Sequence, residues 1–238
     1  LLVVTCDGQD VDYVVALDTR NGKIAWKTDR TLELPRKFSF STPLVIEVKG
    51  RKQIVCPGTG LVAAYEPKTG KEIWRVLYGD GYSVIPRPVF GHGLVYVCSG
   101  WGVPTLFASR PTGTGDVTDT HVKWRTNKLI TYVPSPLVHE GRLYVVNDDG
   151  IARCLDANTG KEFWKKRLDG KFSASPLLAA GNIFATSEEG TTFVFRAGPK
   201  YELVSRNEIG EECLASPLIC GGRVFLRTGL HLYCLGDA

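Results

Sequence analysis

The stretch CLDANTGKEFW at residues 154–164 repeats a pattern that also occurs as ALDTRNGKIAW at 16–26 and as AYEPKTGKEIW at 64–74. In each copy a small residue is followed at fixed spacing by an acid, a glycine and a tryptophan. The carboxylate can accept backbone N–H bonds across a tight turn, and the glycine supplies the positive φ that such a turn needs. Each copy therefore predicts a hairpin between two strands. The turn residues are Asp18 with Gly22, Glu66 with Gly70, and Asp156 with Gly160.

The tryptophan that ends each copy follows the glycine by four residues, as Trp26, Trp74 and Trp164. An indole can fill the wedge between two neighbouring sheets, where it buries on the order of 200 Å². We therefore expect these three rings to hold sheets together rather than to form a substrate platform. The small residue that starts each copy is expected to make room for a ring from the adjacent sheet.

A second signature, Ser-Pro-Leu or a variant of it, recurs between the copies. Short runs of β-branched and aromatic residues separate these signatures and are closed by turn pairs such as Asp149-Gly150. Four antiparallel strands in a repeat of ~40–50 residues are typical of a β-propeller blade, whereas a sandwich carries no repeat of this period. The signature prolines are Pro43, Pro88, Pro136, Pro176 and Pro217.

The spacing predicts an all-β propeller of four-stranded antiparallel blades, with about four complete blades and two partial ones. We expect one domain over residues 1–238. Two blades depart from the pattern, because one carries the insertion 111–124 and another places Leu203 or Val204 where the ring would be. The predicted boundaries are 1–36 for a partial blade, 37–80, 81–128, 129–170 and 171–210 for complete blades, and 211–238 for a partial blade.

Composition excludes several classes of function. Hydrophobic residues make up 43% of the chain, and no apolar run reaches membrane-spanning length, so no transmembrane segment is predicted. The net charge is +4 with scattered Lys and Arg, which gives no argument for nucleic acid as a partner. The cysteines show no CxxC and no Cys/His cluster, so no metal site is predicted. Cys98 and Cys154 are expected to be buried, and whether Cys213 and Cys220 pair is left open.

The repeated A-x-D-x-x-x-G-x-x-x-W pattern, taken with Ser-Pro-Leu, resembles the pyrroloquinoline-quinone-type (PQQ-like) repeat of quinoprotein alcohol dehydrogenases. This repeat is also seen in the outer-membrane assembly scaffold BamB, and the resemblance spans the whole chain. The chain resembles the bacterial secreted or periplasmic group with PQQ-like repeats, and this resemblance implies an extracytoplasmic location. Closed rings of this family have about seven or eight blades, so we expect further blades N-terminal to Leu1.

For an enzyme, the resemblance implies PQQ near the propeller axis, a Ca²⁺ ion, an Asp base and a disulfide between adjacent cysteines. No two cysteines are adjacent in this chain, which argues against PQQ with Ca²⁺ as a cofactor. The serines of the Ser-Pro-Leu signature recur in blade after blade, so they are interpreted as caps at strand starts rather than as nucleophiles. We identify no catalytic residue and no metal ligand, and we favour a binding protein over an enzyme.

One face of a propeller collects the loops between blades and the turns between second and third strands, and in this chain loop length varies there. Exposed aromatic residues and charges of both signs on this face suit a peptide, a glycan or another polar ligand. Trp101 is the discriminating residue, because it follows a glycine in a predicted turn where packing does not require an indole. The same face is expected to carry Asp7. That these are solvated loop residues which merely share a side is an alternative that stays open. The candidate ligand-binding residues are Arg36, Asp80, Tyr82, Trp101, Tyr132, Asp148 and Arg227.

The sequence thus favours a non-catalytic binding or scaffold domain for a protein or a carbohydrate-like ligand. Two alternatives are kept. The first is a quinoprotein-like dehydrogenase domain whose cofactor residues lie in other blades. The second is the extracytoplasmic sensor domain of a larger signalling protein, because similar repeats occur fused to membrane kinases.

Overall fold

The computed structural model describes residues 1–102 and 104–236. Within these ranges the chain forms six sheets and one short helix. It divides into two compact units, Leu1–Tyr132 and the residues from Val133 onward. None of its helical segments is long and apolar enough to cross a membrane.

The first unit contains three sheets. The first sheet consists of β1 (Leu2–Asp7), β2 (Asp12–Leu17) and β3 (Ile24–Asp29). The second consists of β4 (Leu44–Val48), β5 (Arg51–Pro57), β6 (Leu61–Tyr65) and β7 (Glu72–Leu77). The third consists of β8 (Val89–Gly91), β9 (Leu94–Cys98), β10 (Leu106–Ser109) and β12 (Val122–Thr126). The insertion 111–124 adds β11 (Gly115–Asp116), which pairs in parallel with β7 of the preceding sheet, and α1 (Thr118–His121).

The second unit also contains three sheets. Its first sheet consists of β13 (Leu137–His139), β14 (Arg142–Val146), β15 (Ile151–Asp156) and β16 (Glu162–Arg167). The next consists of β17 (Leu177–Ala179), β18 (Asn182–Thr186), β19 (Thr191–Arg196) and β20 (Leu203–Glu208). The last consists of β21 (Leu218–Cys220), β22 (Arg223–Arg227) and β23 (Leu232–Leu235). Four-stranded antiparallel sheets, with a three-stranded sheet at each end, confirm the predicted propeller blades. That residues 1–238 form one domain stays a prediction.

The repeated hairpins show how the acid and the glycine make the turn. One carboxylate oxygen of Asp156 accepts the backbone N–H groups of Asn158 and Thr159 and the Thr159 hydroxyl, at 2.8–3.0 Å. Gly160 then adopts φ +72°, and its N–H donates to the Asp156 carbonyl at 2.8 Å. The positive φ is accessible to glycine without steric cost, so the turn fixes the register of the two strands that it joins.

Two of the three indoles at the ends of the repeats reach from one sheet to the next. Trp26 Nε1 donates to the Pro67 carbonyl at 2.9 Å, and Trp164 Nε1 donates to the Gly198 carbonyl at 3.0 Å. Trp74 is fully buried and instead donates to Gln53 Oε1 at 2.8 Å within its own sheet. Each ring therefore combines apolar burial with a satisfied N–H, as a buried tryptophan requires.

The strand register locates the small residue of each repeat. Cys154 lies directly opposite Trp164 across the pair β15–β16, and Ala16 and Ala64 lie opposite their own tryptophans in the same way. Because opposite residues of an antiparallel pair point to the same face, each small residue lies beside the ring of its own sheet. That it also makes room for a ring of the adjacent sheet stays a prediction.

The two irregular blades keep the same ladder position with different residues. In the third sheet Ala108 lies opposite Trp124, so the long insertion still returns an indole to the repeat position. In the sheet of β17–β20, Val194 lies opposite Ser205, and Leu203 and Val204 are about half exposed. The prediction that Leu203 or Val204 replaces the ring is wrong, because this hairpin is one residue longer than the intact copies.

The serines of the Ser-Pro-Leu signature link neighbouring sheets. Ser135 N–H donates to Ser175 Oγ at 3.0 Å, and Ser175 N–H donates to Ser216 Oγ at 2.9 Å. In the first unit Ser41 Oγ donates to the Pro86 carbonyl at 2.9 Å. These hydroxyls take part in backbone hydrogen bonds at the starts of successive sheets, which is a structural role.

The cysteines of the chain are free thiols. Cys98 and Cys154 are buried, as their apolar surroundings in the sequence predict. Burial raises the pKa of the Cys154 thiol to about 11. Cys213 is buried and its thiol donates to backbone carbonyls, whereas Cys220 is exposed, so these two cysteines do not pair.

Candidate ligand-binding site

Trp101 and Tyr82 are held side by side by backbone hydrogen bonds between two loops. Trp101 lies in the loop after β9, and Tyr82 lies between β7 and β8. The N–H of Tyr82 donates to the Trp101 carbonyl at 2.9 Å, and the Trp101 N–H donates to the Tyr82 carbonyl at 2.8 Å. At Gly102 (φ +95°) a Cβ would come within 2.5 Å of the Asp80 carbonyl and 3.1 Å of the Tyr82 ring. Only glycine allows this close approach, so the local sequence fixes the loops around Trp101.

The indole of Trp101 is both exposed and supported. Its ring stacks on that of Tyr132, with centroids 4.3 Å apart and an interplanar angle of 20°. The Trp101 residue nevertheless keeps 47% of its surface in contact with solvent. Stacking of this kind favours one orientation of an aromatic ring. Trp101 therefore presents a fixed apolar surface.

Arg36 and Tyr82 form a second pair beside the indole. The Arg36 guanidinium lies 4.1 Å from the centroid of the Tyr82 ring, and its Nη1 donates to the Tyr82 hydroxyl at 3.2 Å. Arg36 also lines a small cleft of about 50 Å³ together with Asp80 and Thr59. A cation, a carboxylate and a phenol thus lie next to the exposed indole. This combination can bind both apolar and polar groups of a ligand.

Exposed apolar surface continues along the neighbouring segment. Ser83 N–H donates to the Phe38 carbonyl at 2.7 Å, and Phe40 N–H donates to the Val84 carbonyl at 2.8 Å, so residues 38–40 run alongside residues 82–84. Phe38 and Phe40 are 38% and 65% exposed. Sequence reasoning missed these two phenylalanines, because within LPRKFSF it singled out only the charged residues.

The other two candidate residues belong to the second unit. Asp148 is half-buried, and its Oδ1 accepts the Val133 N–H at 3.1 Å, so this carboxylate helps to position a loop. Arg227 is exposed and lines a cleft of about 130 Å³ that also includes Glu212 and Thr228. The contacts described above thus join five of the seven candidate residues to one another, and all five belong to the first unit.

Asp7 is not a surface residue, contrary to the expectation from the sequence. It forms an ion pair with Arg30 at 2.7 Å, and the side chains of Asp7 and Arg30 are only 1% and 2% exposed. Arg30 also donates to the Cys56 carbonyl at 3.2 Å. Burial raises the pKa of Asp7, although Arg30 opposes the shift. Burial, together with the charge of Asp7, also raises the pKa of the nearby Asp12 to about 6. The sequence gives no local signal for this cluster, because Arg30 lies far along the chain from Asp7.

Within the described residues, no group of three or more His, Cys, Asp or Glu side chains is arranged to hold a metal ion. The recurring serines lie at the sheet starts, where they take part in hydrogen bonds with the backbone. The aromatic cluster brings stacking, cation–π and hydrogen-bonding groups together, and such groups can recognise a ligand.

Comparisons of sequence support these structural features. A family model described as outer membrane protein assembly factor BamB matches residues 1–131 and 116–198. The outer membrane protein assembly factor BamB of Marinobacter adhaerens is 28% identical over 161 residues, which cover 66% of this chain and 37% of that protein. The serine/threonine-protein kinase AfsK of Streptomyces griseus is 30% identical over 135 residues, which cover 52% of this chain and 16% of the kinase. The chain spans less than half the length of these curated relatives.

Solved structures share the fold. BamB from Moraxella catarrhalis aligns with a TM-score of 0.61 at 14% identity, over 95% of this chain and 78% of that one. The quinohemoprotein alcohol dehydrogenase from Comamonas testosteroni aligns with a TM-score of 0.63 at 16% identity, over 94% of this chain and 49% of that one. Identities this low show a common β-propeller fold alone. The match of the family model over most of the sequence is more specific, and by it the chain belongs to the PQQ-like repeat family described as outer membrane protein assembly factor BamB.

Proposed function

We propose that this chain is a non-catalytic propeller scaffold that binds an extended segment of a partner protein through Trp101, Tyr82, Arg36 and Tyr132. One observation carries the proposal. Trp101 keeps about half of its surface exposed, yet it is fixed by a stacked ring and by a pair of backbone hydrogen bonds. A large apolar side chain that is ordered before binding loses little entropy when a partner covers it.

The surroundings of the indole fit a peptide segment. Phe38 and Phe40 extend the apolar surface, while Arg36 and Asp80 supply charges of opposite sign at its edge. Interfaces are typically organised in this way, with a few aromatic and arginine residues that contribute most of the binding free energy inside a polar rim. Asp148 and Arg227 in the second unit stay candidate contact residues.

The comparisons support a protein as the partner and an extracytoplasmic location. Two of the relatives are named outer membrane protein assembly factors, which is the name of a protein that acts on other proteins. The match to the kinase AfsK supports a second context, in which such a propeller is the sensor portion of a larger signalling protein. The likeness to a quinohemoprotein dehydrogenase is one of fold and gives no support for catalysis by this chain.

A carbohydrate-like ligand is the second candidate for the same surface. The stacked pair of Trp101 and Tyr132 favours it, because an exposed aromatic face suits the apolar side of a sugar ring.

The experiment is a selection on the immobilised chain with a random peptide-display library, run beside a glycan array. We expect enriched peptides with an aromatic residue or proline, and a loss of about thirtyfold in their affinity for Trp101→Ala, as for a central interface residue. The matched control is Phe163→Ala, which removes an aromatic ring that is 48% exposed on β16 of the second unit. This control should leave peptide affinity unchanged.

Two results would count against a peptide site at Trp101. The first is unchanged affinity of every enriched peptide for Trp101→Ala. The second is binding of a glycan, lost in Trp101→Ala, without enrichment of any peptide, which would replace the protein segment by a carbohydrate.

A further inference from the structure

A groove of about 830 Å³ opens between the second and third sheets of the first unit. The turn between β4 and β5, the turn between β6 and β7, and residues 111–114 of the insertion form its walls. This volume lies in the range of pockets that bind a ligand or a short peptide.

The groove lies at the opposite end of the second sheet from the Trp101 surface. Strand β6 runs from Leu61, next to Thr59 in the cleft of Arg36 and Asp80, to Tyr65, next to Glu66 in the groove. With a rise of ~3.3 Å per residue, its length separates the two surfaces by roughly 15 Å. A ligand in the groove would therefore not touch Trp101.

Four cations line the groove, against two carboxylates, Glu47 and Glu66, so positive charge is in excess. In the part of the chain that the structure describes, none of the lining cations Lys49, Arg51, Lys52 and Lys68 forms an ion pair with a carboxylate. The Glu66 carboxylate is used by its own turn, where it accepts the N–H groups of Lys68 and Thr69 at 3.0 and 2.7 Å. The hydrogen bond from the Thr69 hydroxyl is the main cause that lowers the pKa of Glu66. The unpaired cations are thus free to meet the negative charges of a partner.

The floor of the groove is apolar. Ile73 and Val48 line it and pack against the hydrophobic core of the first unit, with Pro67 and Pro111 beside them. Among the described lining residues there is no aromatic side chain, so the groove lacks the flat ring that a sugar would stack on. Lys49, Arg51 and Lys52 lie at the turn between β4 and β5, and Lys68 lies in the turn between β6 and β7, so cations line two walls of the groove.

The walls of the groove are fixed by hydrogen bonds. Gln53 accepts the indole N–H of Trp74 and donates its own Nε2 to the Pro111 carbonyl at 3.3 Å, which ties the insertion to the second sheet. Strand β11 pairs with β7, and the Thr118 hydroxyl accepts the Leu77 N–H at 2.8 Å. A groove held in this way is formed before a partner arrives, which favours affinity.

We infer that this groove binds an extended acidic protein segment, with carboxylates that pair with Arg51, Lys49 and Lys68 and an apolar side chain that lies on Ile73. Charge complementarity of this kind sets specificity and association rate. The proposal is independent of the Trp101 surface, because the two sites share no residue.

The test measures binding of a short fluorescent peptide that repeats Asp-Glu-Leu, with a second peptide in which Lys replaces each acid. The variant is Arg51→Gln/Lys68→Gln, and the matched control is Lys123→Gln/Arg125→Gln, which removes the same charges from the exposed face of β12. Fluorescence anisotropy should show that the first double variant binds the acidic peptide about tenfold more weakly, as expected for two solvent-accessible charge pairs. The control and Trp101→Ala should bind within about twofold of the parent chain, and the Lys peptide should not bind.

Equal weakening of both double variants would overturn the proposal, because it would show general attraction to the net charge. So would unchanged affinity in Arg51→Gln/Lys68→Gln, or no binding of the acidic peptide by the parent chain. A sulfated oligosaccharide bound more tightly than the peptide, and lost in the same double variant, would show that the occupant is not a protein segment.

Discussion

Single indoles join neighbouring sheets at the intact repeats, and each combines burial with a directed hydrogen bond. Trp26 and Trp164 donate to carbonyls of the following sheet, whereas Trp74 reaches that sheet through Gln53. The buried ring excludes water, and the N–H fixes the distance between two backbones. The repeat position therefore determines how adjacent sheets pack as well as how each hairpin closes.

Replacing Trp164 by Ala should destabilise the protein by about 3–5 kcal/mol, because it leaves a cavity among Tyr144, Phe195 and Tyr201. Trp164→Phe keeps most ring contacts and loses the bond to the Gly198 carbonyl, so its cost should be about 1–2 kcal/mol. Urea unfolding followed by circular dichroism measures both. The neighbouring exposed Phe163, changed to Ala, should shift the midpoint little. Equal losses for Trp164→Phe and Trp164→Ala would contradict a dominant contribution from burial.

The residues that sequence reasoning located correctly are those tied to the repeat or to a glycine. Trp101 could be singled out because it lies between two glycines outside the repeat, but its stacking on Tyr132 joins loops with no sequence relation. The insertion 111–124 hides the repeat position of Trp124, because it separates this indole from its hairpin, and Asp7 was misplaced because its partner Arg30 follows β3, far along the chain. Contacts between loops depend on tertiary packing, which a local pattern does not encode.

At the scale of elements, the same turn has different surroundings in different blades. Gly22 and Gly70 take nearly the same conformation, with φ +71° and +70°. A Cβ at Gly70 would lie 2.3 Å from Trp26 Cε3, whereas a Cβ at Gly22 would meet nothing within 4 Å. The turn of the second sheet therefore packs directly against the indole of the first. The sequence predicts both turns from one pattern, but only the packed structure distinguishes them.

Gly70→Ala should cost about 2–4 kcal/mol, of which about 1 kcal/mol comes from the positive φ and the rest from displacing the Trp26 ring. Gly22→Ala should cost only the backbone strain of the positive φ, about 1 kcal/mol. Thermal unfolding of both variants gives the comparison, since the two share a backbone conformation. Similar melting temperatures for the two variants would show that the Trp26 ring yields without cost, against the packing described above.

At the scale of the whole molecule, the most deeply buried ion pair among the described residues is Arg30 with Asp7, and the half-buried Asp12 lies beside it. Arg30 forms its ion pair with Asp7 Oδ1, and the other oxygen of this carboxylate, Oδ2, is buried as well. Asp12 lies beside this carboxylate and titrates together with it, so a proton is retained on the pair more readily than in the unfolded chain. One cation for two carboxylates makes the stability of the fold depend on pH.

Asp12→Asn should remove much of this dependence. The pKa of Asp12 is about 6 in the folded chain against an ordinary value of 3.8, so the folded state binds more protons between these values. The contribution of the Asp12 carboxyl to the free energy of unfolding is therefore fully present below about pH 4. It is lost as the pH rises through about 6. The variant should therefore match the parent chain at low pH and exceed it by about 1–2 kcal/mol above pH 7, after allowance for the solvated half of the side chain. Urea midpoints across this range measure the difference, with the exposed Asp10→Asn as the control. A constant offset between Asp12→Asn and the parent at every pH would show that the carboxyl does not titrate within the fold.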